Sequence, residues 1–157
     1  MTDFYRPKGL SSAVSYVDPK AAYRWLEEAF NFEPLMVILD AEGNLGHSEM
    51  TYGQSVIMVG SEWSGLHRSP KSLEGKNTQS IHVQLAEGED IDAHCAHARS
   101  VGAEIIQEPS TQFYGDRTYR AKDPEGHIWT FGVTVNKLTP DDWNKSGGGL
   151  TTRKRLD

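Results

Sequence analysis

One order of predicted elements occurs twice along this 157-residue chain, and the repeat restricts the fold more than any other feature. Each copy contains a short strand, a helix and three further strands. In the first copy Asp18 and Pro19 occupy the N-cap and first helical positions, and Asn31 can adopt the left-handed conformation that ends a helix. In the second copy Asp90 opens the helix and Gly102 closes it. The chain is therefore predicted to consist of two βαβββ modules.

Alternating or apolar segments bounded by turn residues define the strands of each module. The predicted strands are 10–17, 33–39, 46–52 and 55–60 in the first module, and 80–85, 103–107, 118–122 and 128–133 in the second. Each module is too thin to cover both faces of its own sheet, which favours a paired α+β arrangement. We expect helices on one face of each sheet, and opposite faces that curl into a cup-shaped mixed sheet.

The chain is predicted to form a single domain over residues 9–135, with module one at 9–60 and module two at 80–135. The segment 61–79 between them is polar and rich in Ser, Gly and Lys, which is typical of a linker. Residues 136–157 are predicted to be a partly flexible tail. Within it, Thr139–Trp143 begins a short helix and Lys145–Gly149 is expected to be flexible.

Charge and composition exclude several classes of partner. The chain has 16 Lys and Arg against 22 Asp and Glu, a net charge of −6, which disfavours binding to a phosphate backbone. No apolar run is long enough for a membrane span, and the N-terminus lacks the apolar region of a secretory signal. The lone Cys95 excludes an internal disulfide and a Cys-rich zinc site. We expect a cytoplasmic protein that binds neither nucleic acid nor membrane.

Three segments carry recognisable motifs: VDPKAAYRWLEEAFNFEP, GHSEMTYGQSVIMVG and YGDRTYRAKDPEGHIWTFG. With them, residues 9 to 133 resemble the vicinal oxygen chelate superfamily, which contains glyoxalase I, bleomycin-resistance proteins and extradiol dioxygenases. The nearest branch is often labelled glyoxalase-like or demethylubiquinone-methyltransferase-like, although no Gly-rich loop follows a strand here, as a methyl-donor site would require. The resemblance implies a glyoxalase/bleomycin-resistance-like fold and a homodimer. Some relatives exchange modules between chains, and the long linker would permit that exchange.

Metal-dependent members of this superfamily place ligands on the first and fourth strands of each module. The resemblance puts these positions at Ser11, Met58, Ser80 and Thr130. These residue types do not form a site for a hard divalent cation. A register error of one residue would bring in His82 at one corner but would leave the other three unchanged. We therefore predict no metal at the usual site and no cofactor.

The resemblance implies that Met58 faces the cup, and strand alternation then indicates which other side chains of module one share that face. A two-residue turn at Gly53-Gln54 places Glu49 opposite Met58, and residues opposed across a hairpin point to the same face. His47 shares this face with Glu49. We interpret His47 and Glu49 as candidate catalytic residues for acid–base chemistry, with a purely structural pair as the alternative.

The remaining candidates are predicted to bind a ligand. They are His82, Gln84, Met58, Thr130, Arg117, Trp63 and Tyr119. Arg117 and Tyr119 precede a loop whose register is not fixed. Trp63 is an aromatic residue in a polar linker, where aromatic side chains often cover a pocket or an interface.

Other chemically capable residues are assigned structural roles. His94 and His97 lie on the flank of the second helix and are expected to be exposed, whereas Cys95 lies on its apolar stripe and is expected in the core. Asp123 and His127 are expected to fix the Asp-Pro-Glu-Gly-His turn through hydrogen bonds to the backbone.

Two classes of function remain open, because this fold hosts many chemistries. The first is a metal-free protein that binds a small planar or amphipathic molecule in the cup, as bleomycin-resistance relatives do. The second is an enzyme of the lyase, isomerase or dioxygenase type. Such an enzyme would use the His47/Glu49 pair as acid and base, or a displaced metal site formed by His47, Glu49 and His82.

Overall fold

The computed structural model describes residues 9–156, and the repeated order of elements is present. The first module contains β1 (Ser12–Tyr16), α1 (Pro19–Phe30), β2 (Glu33–Leu39), β3 (Leu45–Tyr52) and β4 (Ser55–Ser61). The second contains β5 (Ile81–Gln84), α2 (Ile91–Ser100), β6 (Glu104–Thr111), β7 (Asp116–Lys122) and β8 (Ile128–Thr134). A short 3-10 turn, Pro70–Leu73, lies between the modules, and α3 (Pro140–Ser146) follows them.

The strands form two four-stranded mixed sheets with the same internal order, β1-β4-β3-β2 and β5-β8-β7-β6. The first strand of each module pairs in parallel with the last, and the other pairs are antiparallel. The predicted α+β fold of two βαβββ modules is confirmed. Within residues 9–156, no helix is long and apolar enough to cross a membrane.

Both long helices begin where the sequence predicts. Asp18 accepts a hydrogen bond from the backbone amide of Ala21 at 3.0 Å, and Asp90 accepts one from Ala93 at 3.0 Å. These side chains satisfy amides that the first turn of a helix leaves without a partner. Asn31 ends α1 with a φ of 60°. Capping therefore fixes where each helix starts relative to the strand before it.

The helix-facing sides of the two modules share one core. The ring of Phe30, at the end of α1, lies 4.7 Å from Phe131 and 5.7 Å from Trp129, both on β8. Trp25 donates an indole hydrogen bond to the backbone oxygen of Val101, after α2, at 3.0 Å. Large aromatic rings buried in such contacts contribute much of the stability of a small domain. Within the described residues 9–156, α1 and α2 both pack against this side of the sheets.

Hydrogen bonds attach the linker to module two and join module two to module one. The buried Ser69 hydroxyl donates to Glu125 Oε1 at 2.7 Å, and Glu125 also accepts from the backbone amides of Val17 and Asp18 at 2.8 and 3.0 Å. Asn77 donates from its side chain to the Gly126 oxygen at 3.0 Å. The polar composition of segment 61–79 thus provides side chains that attach it to the folded modules.

The C-terminal helix begins with Pro140, as predicted, and is stabilised by a capping box between Thr139 and Asp142. It continues to Ser146. The helix is therefore longer than the sequence indicates and includes Lys145 and Ser146, which were expected to be flexible.

Candidate functional site

The face of the first sheet opposite α1 carries the His47/Glu49 pair. On β3, Ser48 and Met50 are fully buried towards α1, and alternation turns His47 and Glu49 to the other face. Glu49 lies directly opposite Met58 in the β3–β4 register. The two-residue turn at Gly53-Gln54 therefore has the geometry that the sequence predicts. We call this surface the open face of module one.

His47 Nε2 and Glu49 Oε1 are 3.0 Å apart. The Glu49 carboxylate is in a protected position, since only 8% of the residue is exposed, whereas His47 is half-buried. The Tyr23 hydroxyl from α1 donates to the Glu49 backbone oxygen at 3.1 Å and fixes the strand at this point. A buried carboxylate is costly without a partner, and His47 provides one. A His–Glu contact of this kind can transfer a proton in a reaction, or it can simply stabilise the strand.

A cavity of about 380 Å³ lies beside this pair on the open face. His47 and Met58 form one side of it, and Trp63 and His67 from the linker form another. The Trp63 and His67 rings are stacked, with centroids 4.1 Å apart and planes at 29°. Ser64 Oγ, 2.7 Å from His67 Nδ1, holds the imidazole in this position. Trp63 nevertheless remains 71% exposed, so a large aromatic surface adjoins the cavity.

His82, Gln84 and Thr130 lie together on the second module. His82 is paired with Thr130 in the β5–β8 register, and His82 Nε2 is 2.9 Å from Gln84 Oε1. A Cβ at Gly132 would lie 3.1 to 3.2 Å from the Gln84 and His82 side chains, so glycine leaves space for both. His82 and Gln84 line a cavity of about 310 Å³, and Ser55 and Val56 of β4 also line it.

The predicted site residues thus fall into two groups. His47, Met58 and Trp63 share one cavity, with Glu49 beside it, and His82 and Gln84 belong to another. The displaced metal site predicted as an alternative needs His82 beside His47 and Glu49. A single chain does not bring these three side chains together. Within residues 9–156, no three His, Cys, Asp or Glu side chains are close enough to hold one ion.

The residues at the positions of the superfamily's metal ligands do not fit a divalent ion. Met58 provides a thioether, and Ser11, Ser80 and Thr130 provide only neutral hydroxyl groups. Thr130 Oγ1 is already engaged, since it accepts a hydrogen bond from Arg120 Nε at 3.2 Å.

Arg117 and Tyr119 lie on the helix side of β7, away from both cavities. Arg117 donates to both carboxylate oxygens of Asp92 on α2, each at 2.7 Å. Tyr119 is fully buried and stacks on Phe131 at 5.1 Å. The prediction that these two residues face a ligand did not anticipate the pairing of Arg117 with Val133 and of Tyr119 with Phe131 on β8, which places both on the helix side of the sheet.

His94 is buried, so the prediction that it is exposed was wrong. Its Nδ1 is 2.7 Å from the Tyr119 hydroxyl and its Nε2 is 3.3 Å from the Phe30 backbone oxygen. Because a carbonyl oxygen only accepts, Nε2 donates to Phe30 and Nδ1 accepts from Tyr119. Burial lowers the pKa of His94 and outweighs the opposing effects of the Phe30 oxygen and Glu89. The neighbouring Cys95 is in the core, as predicted, and burial raises the pKa of its thiol.

This environment predicts that acid weakens the fold through His94. The folded-state pKa lies below the ordinary value of 6.5, so the unfolded chain binds the extra proton more readily as pH falls below that value. The free energy of unfolding should decrease from about pH 7 to about pH 5. His94→Gln should show a shallower decrease when urea unfolding is measured across this range. If the free energy of unfolding falls equally steeply with pH in the native protein and in His94→Gln, the effect does not come from His94.

His67 is the member of the site that the sequence analysis missed. Its stacking on Trp63 depends on the path of the linker, which no strand or helix pattern predicts. The available signal was an aromatic residue followed four positions later by an imidazole, within a polar segment.

Solved structures of other proteins have a similar fold. The structure of TioX from Micromonospora sp. ML1 matches with a TM-score of 0.63 and 26% identity, covering 82% of this chain and 99% of that one. TnmS3 from Streptomyces sp. CB03234, described as an antibiotic-binding protein, matches with a TM-score of 0.58 and 19% identity, covering 79% and 93%. Among curated sequences, the uncharacterized protein Mb0911c of Mycobacterium bovis is 26% identical over 137 residues, or 85% of this chain and 88% of that protein.

A family profile described as the Glyoxalase/Bleomycin resistance protein/Dioxygenase superfamily matches residues 12–131. That range runs from the start of β1 into β8 and so includes both modules. The chain belongs to the Glyoxalase/Bleomycin resistance protein/Dioxygenase superfamily.

Proposed function

We propose that this protein binds a small, planar organic molecule on the open face of module one, without a metal at the superfamily's usual position. Trp63 carries the proposal: a largely exposed indole, stacked on His67, adjoins a cavity of about 380 Å³. Exposed aromatic surface is costly in water, and a flat ligand would cover it. Met58 offers an adaptable apolar surface within the same cavity.

The similarity to other proteins supports this class of function. TnmS3, which has the same fold, is described as an antibiotic-binding protein. Sequestration of a ligand needs a shaped apolar surface and no reactive group, and the residues at Ser11, Met58, Ser80 and Thr130 agree with that requirement.

Truncation of Trp63 tests the proposal. A neutral planar probe, 2-naphthamide, should bind the native protein in a calorimetric titration, and Trp63→Ala should weaken that binding about tenfold because the stacking surface is lost. Phe113→Ala removes another exposed aromatic side chain, at the β6–β7 hairpin, and is the matched control. Equal affinities of the native protein and Trp63→Ala would contradict the proposal.

An enzyme is the second candidate, and the His47–Glu49 contact of 3.0 Å favours it. A carboxylate and an imidazole at this distance can act as a base–acid pair. If the pair is catalytic, the native protein should consume a compound from a bacterial metabolite extract, as followed by mass spectrometry, and Glu49→Gln should not. Glu42→Gln, in an exposed turn, is the control. Consumption of the compound by both Glu49→Gln and Glu42→Gln would exclude a catalytic role for the His47–Glu49 pair.

We also propose that the protein forms a homodimer. Val37, Ile38 and Leu39 are consecutive apolar residues about half exposed on the edge strand β2. A second copy would cover this edge. Light scattering should then give about twice the chain mass of 17.5 kDa, and the mass of a single chain would contradict the dimer.

A further inference from the structure

A third cavity, of about 170 Å³, lies under the linker and adjoins the site proposed above. Ala13, Ser15 and His67 line both cavities, so the two spaces are neighbours along β1. Linker residues 66–79 form most of the new cavity, and His127 from the β7–β8 turn completes it. We call it the linker cavity.

The linker cavity is polar and basic, although the protein as a whole is acidic. Its lining includes Arg68, Lys76 and the imidazoles of His67 and His127, together with amide and hydroxyl groups of Asn77, Thr78 and Gln79. Among residues 9–156, no carboxylate lines this cavity. A chain with a net charge of −6 thus places two fixed positive charges around one small space. Such a space favours an anionic group.

Two carboxylates contact these cations from outside the lining. Lys76 Nζ is 3.1 Å from Glu74, but both side chains are largely exposed, and such pairs contribute little. Arg68 contacts Glu62 through Nε at 3.3 Å. Glu62 is shared, because it also accepts hydrogen bonds from the Ser72 side chain and the Ser69 amide, which lower its pKa. A planar guanidinium offers further N–H donors beyond Nε.

His127 is held in place at the inner side of the cavity. Its Nε2 donates to the Ser15 backbone oxygen at 2.8 Å, and its ring makes an edge contact with Tyr16 at 4.7 Å. The linker itself is attached through Ser69 and Asn77 to the β7–β8 turn. The linker backbone that carries Arg68 and Lys76 is therefore held against module two, although these two side chains are themselves exposed.

We infer that the linker cavity binds the oxyanion group, such as a carboxylate, of a ligand whose planar part stacks at Trp63. This inference rests on the proposed function, and it specifies the ligand as amphipathic, with one flat apolar part and one acidic part. His67 lies between the positions of the two parts, because its ring stacks on Trp63 and also lines the linker cavity. Arg68 and Lys76 provide the attraction to the acid.

A matched pair of probes separates the two contributions. 2-Naphthoate and 2-naphthamide have the same ring system and nearly the same shape, but only the first carries a charge. Calorimetry should show naphthoate binding about tenfold more tightly than naphthamide. Arg68→Gln and Lys76→Gln should each reduce this preference about threefold or more while leaving the naphthamide affinity unchanged. Lys71→Gln removes a positive charge from an exposed linker residue outside the cavity and should preserve the preference.

Each outcome distinguishes this inference from the proposed function. Equal affinities for the two probes would overturn the anion site and leave planar-ligand binding in place. A naphthoate preference that Lys71→Gln reduces as much as Lys76→Gln would indicate general charge attraction and would also overturn it. Failure of both probes to bind would overturn the inference together with the proposed function. Because Lys76 is exposed, Lys76→Gln remains informative if Arg68→Gln fails to fold.

Discussion

Asp123→Ala should lower the free energy of unfolding by about 4 kcal/mol, because it leaves two buried donors unpaired. Asp123 is itself buried, and its Oδ2 accepts hydrogen bonds from the Tyr16 hydroxyl at 2.7 Å and the Trp129 indole at 3.1 Å. Its Oδ1 accepts from the backbone amides of Glu125 and His127. One carboxylate therefore joins β1 of module one to the turn and strand of module two. Burial, and secondarily the Asp123 charge, raise the pKa of Tyr16, so this phenol remains a donor.

Urea unfolding followed by circular dichroism measures this effect. Asp40→Ala is the matched control, because Asp40 also holds a turn, through Asn44, but in an exposed position. The control should lose no more than about 1 kcal/mol. A loss for Asp123→Ala as small as that of the control would show that the bonds between the modules contribute little.

Gly115→Ala should lower the free energy of unfolding by about 3 kcal/mol. Gly115 has a φ of 100°, which is unfavourable for any residue with a side chain, and a Cβ there would lie 2.1 Å from the Asn136 backbone oxygen. The segments around Gly115 and Asn136 cannot easily move apart, because the amides of Val135 and Asn136 both donate to the Gly115 oxygen. The substitution must therefore displace the chain that leads from β8 to α3.

Gly43→Ala separates backbone strain from this steric conflict. Gly43 has a φ of 81°, but a Cβ there would meet nothing within 4 Å. Its replacement should cost about 1 kcal/mol, measured by the same urea unfolding. Equal losses for the two variants would show that the contact with Asn136 is readily relieved.

Local patterns in the sequence were enough to predict the fold. Caps at Asp18 and Asp90 fixed the helix starts, and the Gly53-Gln54 turn fixed the register that places Glu49 opposite Met58. These features depend on residues close together in the chain, so a pattern of turn residues and alternation predicts them.

The parts of the site that were not predicted depend on contacts between distant residues. His94 is buried because the Phe131 ring lies against it and the Phe30 backbone oxygen of the other module accepts its hydrogen bond, and no helical pattern in α2 indicates this. Arg117 turns towards Asp92 because its pairing with Val133 of β8 places it on the helix side of the sheet. The Trp63–His67 stack depends on how the linker returns to β1. Each case requires the packing of the second module or the linker, which a single strand pattern does not contain.

Nuclear magnetic resonance of the indole groups is the most direct test of ligand binding at the open face of module one. The chain has four tryptophans, and the indole N–H groups of Trp25 and Trp129 are hydrogen-bonded within the protein. Addition of 2-naphthamide to the native protein should shift the Trp63 signal in a saturable manner and leave those of Trp25 and Trp129 unchanged. A Trp63 signal that stays fixed while the probe binds would contradict the account.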